Sequence, residues 1–212
     1  MAGHQHGTEA ALVVIVAAWL RLDTDAVTSQ PRDPQWRDED IYVVEYDSDW
    51  PDNFTAEAAR IEAVIGPWVA GGIHHVGSTA VPGLAAKPII DILVGVADLD
   101  TSRPCIELLA PLQYLYAPYH PDVMHWFCKP DPAKRTHHLH LVPTGSSRYA
   151  EELAFRDYLR GHPDRARAYE HLKRELASRH RHDREAYPEG KADFVREVTG
   201  LAREWSGQPR TE

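Results

Sequence analysis

The chain has 212 residues, 43% of them hydrophobic and 26% charged, the composition of a soluble globular protein and not of a disordered or membrane-spanning one. Its formal net charge of −9 opposes broad, sequence-independent binding of nucleic acid, which needs a positive field to displace counterions. Two cysteines, Cys105 and Cys128, cannot build a multi-disulfide framework and fit buried thiols in a reducing cytoplasm.

Residues 1–40 read as an N-terminal extension. His4 and His6 lie in a Gly-rich start that reads as a mobile terminus. The apolar run Ala10–Leu20 is about half of what a bilayer span requires and has no lysine or arginine before it, so it reads as a short amphipathic or docking helix and not as an anchor or signal peptide. Asp23–Asp40 is rich in proline and aspartate and reads as a linker.

A single α/β domain is expected over residues 41–205, with a short tail at 206–212. Ile41-Tyr42-Val43-Val44 suits a strand, and Thr55–Val64 is apolar at helical spacing, with Thr55 as N-cap and Gly66-Pro67 as its end. Ile73–Val76 predicts a strand closed by the Gly77-Ser78 turn, followed by a loop or short helix over Thr79–Ala86. Pro88–Val96 holds the run Ile89-Ile90-Asp91-Ile92-Leu93-Val94, apolar on both faces apart from one carboxylate, and predicts a central strand covered on both sides. After a helix around Cys105–Leu112, the strands Met124–Lys129 and His137–Val142 flank the turn Pro130-Asp131-Pro132 and predict a hairpin. The remainder, from about residue 148, predicts a helical lobe. Glu151–Arg160 forms its first helix, a second opens at His162-Pro163-Asp164, and Pro188 opens the last.

Asp91 demands an explanation, because a carboxylate buried without compensation costs several kcal/mol. It is either a core aspartate bonded to backbone or to Lys87, or a carboxylate of a functional site; strand ends beside Gly-rich turns are where α/β folds place ligands. Gly77-Ser78-Thr79 follows a strand, and its backbone N–H groups and two hydroxyls suit phosphate oxygens, although an ordinary tight turn has the same letters and the Walker spacing is absent. His138 and His140 project from one face of their strand, about 7 Å apart. With Asp91 on a neighbouring strand they would form a His-His-carboxylate set, suited to zinc, manganese or iron, to acid–base work, to contact with substrate or phosphate, or to a structural polar network; His137 points the other way. Lys87 either neutralises Asp91 or reaches a phosphate. Arg135, Arg156 and Arg160 are candidate anion clamps, with surface salt bridges as the alternative. Tyr169 with Lys173 and Tyr187 with Lys191 repeat a Tyr-x3-Lys spacing, which sets both groups on one helical face.

The stretch from His75-Val76-Gly77-Ser78-Thr79 through Gly83-Leu84-Ala85-Ala86-Lys87-Pro88-Ile89-Ile90-Asp91-Ile92 closely resembles the signature of the GrpB-like family of the nucleotidyltransferase superfamily. Tyr46-Asp47-Ser48-Asp49-Trp50-Pro51, Arg135–Val142 and Phe155–Arg160 extend the likeness over about residues 42–203. The resemblance implies an α/β (α+β) fold, with a nucleotidyltransferase-like mixed sheet, flanking helices and a C-terminal helical lobe. It implies that Gly77 and Ser78 hold a triphosphate, that Asp91 holds a divalent metal, and that Tyr169, Lys173, Tyr187 and Lys191 contact base and phosphates; the residues themselves add Thr79 and Lys87 to the phosphate set and His138 and His140 to the metal set (magnesium or manganese, or zinc). Leu93 stands where the superfamily usually carries a second acid, a gap that GrpB-like proteins share.

Three functions compete. One is nucleotidyl transfer from ATP or another nucleoside triphosphate to a small-molecule acceptor, with no bulk nucleic acid and no membrane involved. The second is a non-catalytic nucleotide-binding or folding-accessory module, which Leu93 favours. The third is metal-dependent chemistry on a small molecule without nucleotide.

Overall fold

In the computed structural model, residues 40–118 and 120–206 are described; the predicted extension helix, most of its linker and the tail beyond residue 206 lie outside them. The architecture is a five-stranded mixed sheet with helices on both sides, as expected in outline. Helix α1 spans Trp50–Ile65 and strand β1 Val69–Val76. Strand β2 is Ile90–Val96, followed by the short helices α2 (Leu99–Ser102) and α3 (Cys105–Leu108). Strands β3 (Leu115–Ala117), β4 (His125–Pro130) and β5 (Arg135–Pro143) complete the sheet. Helices α4 (Ser147–Gly161), α5 (Pro163–Arg179), α6 (Ala186–Glu189) and α7 (Ala192–Ser206) follow. No helix among the described residues is long and apolar enough to cross a membrane.

The strand order is β1-β2-β5-β4-β3. All neighbours are antiparallel except β2 and β5, which run parallel at the centre. Period-two alternation then sorts the side chains between two faces. Ile90, Ile92, Val94 and Val96 of β2 join Leu139 and Leu141 of β5 and Trp50, Ile61 and Ile65 of α1 in the main core. Leu93 and Val142 face the other way, into a second cluster with Val76, Met124, Trp126 and Cys128. Asp91, His138 and His140 share the parity of this second face. The C-terminal helices form a third cluster, in which Tyr158 and Leu159 of α4, Tyr169 of α5 and Val198 and Ala202 of α7 close over Val81 and Leu84. Both cysteines are buried, as expected, and burial pushes their thiols above the ordinary value.

Several boundaries depart from expectation for identifiable reasons. Ile41–Val44 is not a sheet strand; it runs alongside the 84–86 loop and makes one isolated antiparallel bridge, Val44 to Ala86. Its apolar residues find their partners among helices instead, Ile41 and Val43 packing with Leu176, Ala177 and Tyr187. Helix α1 starts at Trp50, with Pro51 in its first turn, where a missing N–H costs nothing. Thr55 lies inside the helix and donates to the Pro51 carbonyl at 2.8 Å. Pro188 sits within the separate short helix α6, and the last helix begins at Ala192. Gly190 marks the break; a β-carbon there would lie 2.3 Å from Leu176 Cδ2.

Candidate functional site

The Gly77 turn carries the first chemical constraint. Gly77 has φ +70°, and a β-carbon built on it would lie 2.2 Å from Asp91 Oδ2. Only glycine combines this backbone conformation with so close an approach, and the chain at the end of β1 therefore lies directly against the carboxylate. Ser78–Ala80 follows as one turn of 3-10 helix. Thr79 donates to the Ile89 carbonyl at 3.2 Å and accepts from His75 Nε2 at 2.9 Å, while Phe54 stacks on the His75 ring at 4.8 Å. Burial holds His75 neutral, with its pKa down at about 4. Ser78 is bonded from behind by the Tyr169 hydroxyl, and the Tyr169 ring stacks on Phe194 at 4.9 Å.

Asp91 and His138 are direct partners across the parallel ladder. His138 Nδ1 lies 2.9 Å from Asp91 Oδ1. Burial works to raise the Asp91 pKa, but the hydrogen bond from His138 and the charge of Lys191 hold it below the ordinary carboxylate value. Burial dominates at His138 and takes its pKa down to about 4 against the pull of Asp91. The pair is thus an ionised carboxylate and a neutral imidazole, with the ring proton on Nδ1 and the lone pair on Nε2. His138 Nε2 is buried and has no hydrogen-bond partner among the described residues. A buried acceptor of this kind can take a hydrogen bond from a water or from a ligand in the cleft.

His140 has a separate carboxylate. Its Nδ1 lies 3.4 Å from Glu152 Oε2, and Arg148 Nε lies 2.9 Å from Glu152 Oε1. All three residues are buried. Among the described residues, no three His, Cys, Asp or Glu side chains are gathered so as to hold one metal ion. Asp91 orients His138 instead of sharing an ion with it, and His140 is tied to Glu152, so this donor set does not fit the resident metal that the resemblance implies.

These groups open into a cleft of about 190 Å³. Six basic side chains line it, Lys87, Arg135, Arg148, Lys173, Arg184 and Lys191, against the two carboxylates of Asp40 and Asp91. In a chain of net charge −9, this local reversal of sign is the most informative property of the site. Burial, reinforced by neighbouring cations, takes Lys87 and Lys173 down to about 7, and burial takes Lys191 down to about 8. Tyr187 lies beneath two of them, its ring centroid 5.7 Å from Lys87 Nζ and 4.5 Å from Lys191 Nζ. Lys173 Nζ lies 4.9 Å from the Tyr169 ring centroid and donates to the Ala85 carbonyl. Arg135 lies over Trp126 at 5.4 Å, and Trp126 also meets the His138 ring at 5.3 Å.

Of the residues that the sequence points to, Ser78, Thr79, Lys87, Asp91, Arg135, His138, His140, Lys173, Tyr187 and Lys191 line this cleft. Gly77 and Tyr169 support it from behind. Arg156 and Arg160 do not line it. Arg156 pairs with Asp157 at 2.8 Å and donates to the His75 carbonyl at 3.1 Å, and Arg160 Nε donates to the Ala80 carbonyl at 2.9 Å; both fasten α4 to β1 and to the turn. His137 falls on the opposite face, near Glu57 and Lys129, as predicted. Sequence reasoning missed Trp126, Arg148 and Arg184. Arg184 precedes α6 and donates to the Pro132 carbonyl at 2.9 Å and the Ala133 carbonyl at 2.5 Å, clasping the β4–β5 turn. Nothing in the local sequence singles it out, since Glu151–Trp205 carries acids and bases in equal number. The site also sits at the N-terminal ends of the parallel pair β2 and β5, not at the carboxyl ends that doubly wound sheets favour.

Comparison with known proteins agrees over this whole region. The family model described as GrpB protein matches residues 40–200. A UPF0157 protein of Pseudomonas aeruginosa is 42% identical over 190 residues, covering 87% of this chain and 71% of its own length. The glutamate-rich protein GrpB of Alkalihalophilus pseudofirmus is 34% identical over 168 residues, covering 75% of this chain and 94% of that protein. The crystal structure of the conserved protein GrpB from Enterococcus faecalis superposes with a TM-score of 0.72 at 31% identity, covering 79% of this chain and all of that one.

Proposed function

The chain belongs to the GrpB protein family, and from that premise and the cleft described above we propose that it binds a nucleoside triphosphate and transfers its nucleotidyl group to a small-molecule acceptor. The observation that carries the reading is the sign reversal: six basic side chains and two carboxylates around one cleft in an acidic chain. Such a cleft attracts a polyanion, and lysines whose ammonium forms are disfavoured when the cleft is empty regain their charge beside phosphate.

His138 supplies the base. Its Nε2 lone pair faces no donor among the described residues, and Asp91 fixes the tautomer from behind. In the proposed step, His138 takes the proton from the acceptor hydroxyl or amine as that atom forms a bond to the α-phosphorus. The bond from the α-phosphorus to the bridging oxygen breaks, and pyrophosphate leaves among Lys87, Lys173 and Lys191. The basic side chains stabilise the charge that accumulates on the departing oxygens. No protein-held metal enters this step.

A second reading, that of a nucleotide-binding accessory without turnover, draws support from Leu93. This residue is fully buried in the apolar cluster with Val76, Met124 and Trp126, so the position that would carry a second acid is part of the packing. A nucleotide panel separates these readings. Saturating triphosphate at about 100 times its dissociation constant should stabilise the fold by about 2.7 kcal/mol. If no nucleoside triphosphate raises the melting temperature, both readings fail; if one binds and the Asp91→Asn variant matches wild type in every turnover assay, the accessory reading prevails.

A further inference from the structure

We propose that Arg148 is a phosphate-binding residue in the wall of the cleft, and that Glu152 is the positioning residue that fixes both Arg148 and His140 there; this rests on the reading of the cleft as a polyphosphate site. Arg148 stands in the first turn of α4, and Glu152 stands one turn later on the same helical face. As a sequence pattern, an Arg and a Glu four residues apart read as an exposed helix pair worth a few tenths of a kcal/mol at most. Here both are buried, Arg148 at 4% and Glu152 at 8% exposure.

The order of the charges carries the argument. Glu152 uses one oxygen for Arg148 and the other for His140, and both of those partners line the cleft while Glu152 does not. The carboxylate therefore lies on the protein side and the guanidinium and imidazole on the ligand side. An ion pair kept only for stability has no reason to adopt this order, because a buried pair is commonly replaced by apolar residues without loss. An anion site does have a reason. The order presents positive charge toward the ligand and keeps a buried guanidinium rigid, so little is lost in ordering it when phosphate arrives.

The test is calorimetric titration of the full chain with inorganic tripolyphosphate and, separately, with ATP. Wild type is compared with R148K, with the double variant R148M/E152M and with E152Q. The double variant removes both buried charges together and should fold at least as well as wild type. Its affinity for tripolyphosphate should fall about 10–100-fold, the loss of a charge-assisted bond. R148K keeps the charge without the fork and should lose about 3–10-fold, and it decides the matter should the double variant fail to fold. E152Q should weaken tripolyphosphate binding and shift the nitrogen NMR signals of His140 while leaving those of His138 in place. Wild-type affinity in the double variant, or in R148K, overturns the assignment of Arg148; unchanged His140 signals and affinity in E152Q overturn that of Glu152. If wild type binds neither tripolyphosphate nor ATP, the polyphosphate reading itself fails, a result distinct from selective loss or retention in the variants.

Discussion

Asp91 Oδ1 and His138 Nδ1 lie 2.9 Å apart because the two residues are paired directly across the parallel ladder between β2 and β5. The strand register thus sets the imidazole tautomer, and the tautomer sets which nitrogen faces the cleft. In Asp91→Asn the side-chain amide can offer the ring either an oxygen or an NH₂ group, so the Nδ1–H form is no longer enforced. Nucleotidyl transfer should fall by about 10²–10⁴-fold, the usual contribution of a positioned general base. Triphosphate affinity should hold or rise, because one negative charge leaves the cleft. Loss of binding with turnover per bound ligand intact would contradict the assigned role.

Gly77→Ala should be among the most damaging single changes in the chain. It places a β-carbon 2.2 Å from Asp91 Oδ2 on a backbone with φ +70°, and both the clash and the strain must be relieved by moving the turn. A loss of about 2–4 kcal/mol is expected in urea unfolding. A variant within 0.5 kcal/mol of wild type, on the order of a surface substitution, would mean that the turn does not lie against the carboxylate.

Stability and affinity should respond to pH in opposite directions. His75 and His138 have folded values of about 4, below the value of about 6.5 of a free histidine, so between these limits the unfolded chain binds more protons. Stability should accordingly drop as pH falls from 6.5 toward 4. Lys87 and Lys173 at about 7 and Lys191 at about 8 also lie below their unfolded value. Their burial penalty is greatest below pH 7 and is relieved as pH rises, so the ligand-free protein should gain stability from these groups on the alkaline side. Tripolyphosphate binding needs the charged forms and should weaken from pH 7 to 9. Urea melts and calorimetry across this range would check both slopes; tighter binding at pH 9 than at pH 7 would contradict the lysine assignment.

Arg156→Lys and Arg160→Lys should behave as scaffold changes. Each loses a bond to a main-chain carbonyl, of His75 or of Ala80. A destabilisation of about 1–2 kcal/mol is expected, with triphosphate affinity within about twofold of wild type. A tenfold weaker affinity at unchanged stability would return these arginines to the ligand.

The parts of the site carried by single strands were legible in the sequence. Asp91 is the one charge in an apolar run, His138 and His140 share a strand face by parity, and the Gly77-Ser78 turn stands between two strand patterns. What was illegible depends on tertiary pairing. Strand β3 is three residues long and exists through its ladder with β4. The segment Ile41–Val44 has strand-forming residues, but Ile41 and Val43 pack on α5 and α6, and Val44 bridges Ala86 in a loop and not in a strand of the sheet. Arg148 and Glu152 have the spacing of an ordinary surface pair, and only the approach of α4 to β5 buries them. Arg156 and Arg160 carry the right charge for a phosphate clamp, but their carbonyl partners come from elements remote in sequence.

If the cationic cleft holds a nucleoside triphosphate, calorimetric titration of the wild-type chain with ATP and with tripolyphosphate at pH 7 should show saturable binding of both. A Lys87→Gln/Lys191→Gln variant should bind them at least about 100-fold more weakly, tenfold or more for each charge removed. Absence of binding to wild type, or equal affinity in the variant, would contradict that reading of the cleft.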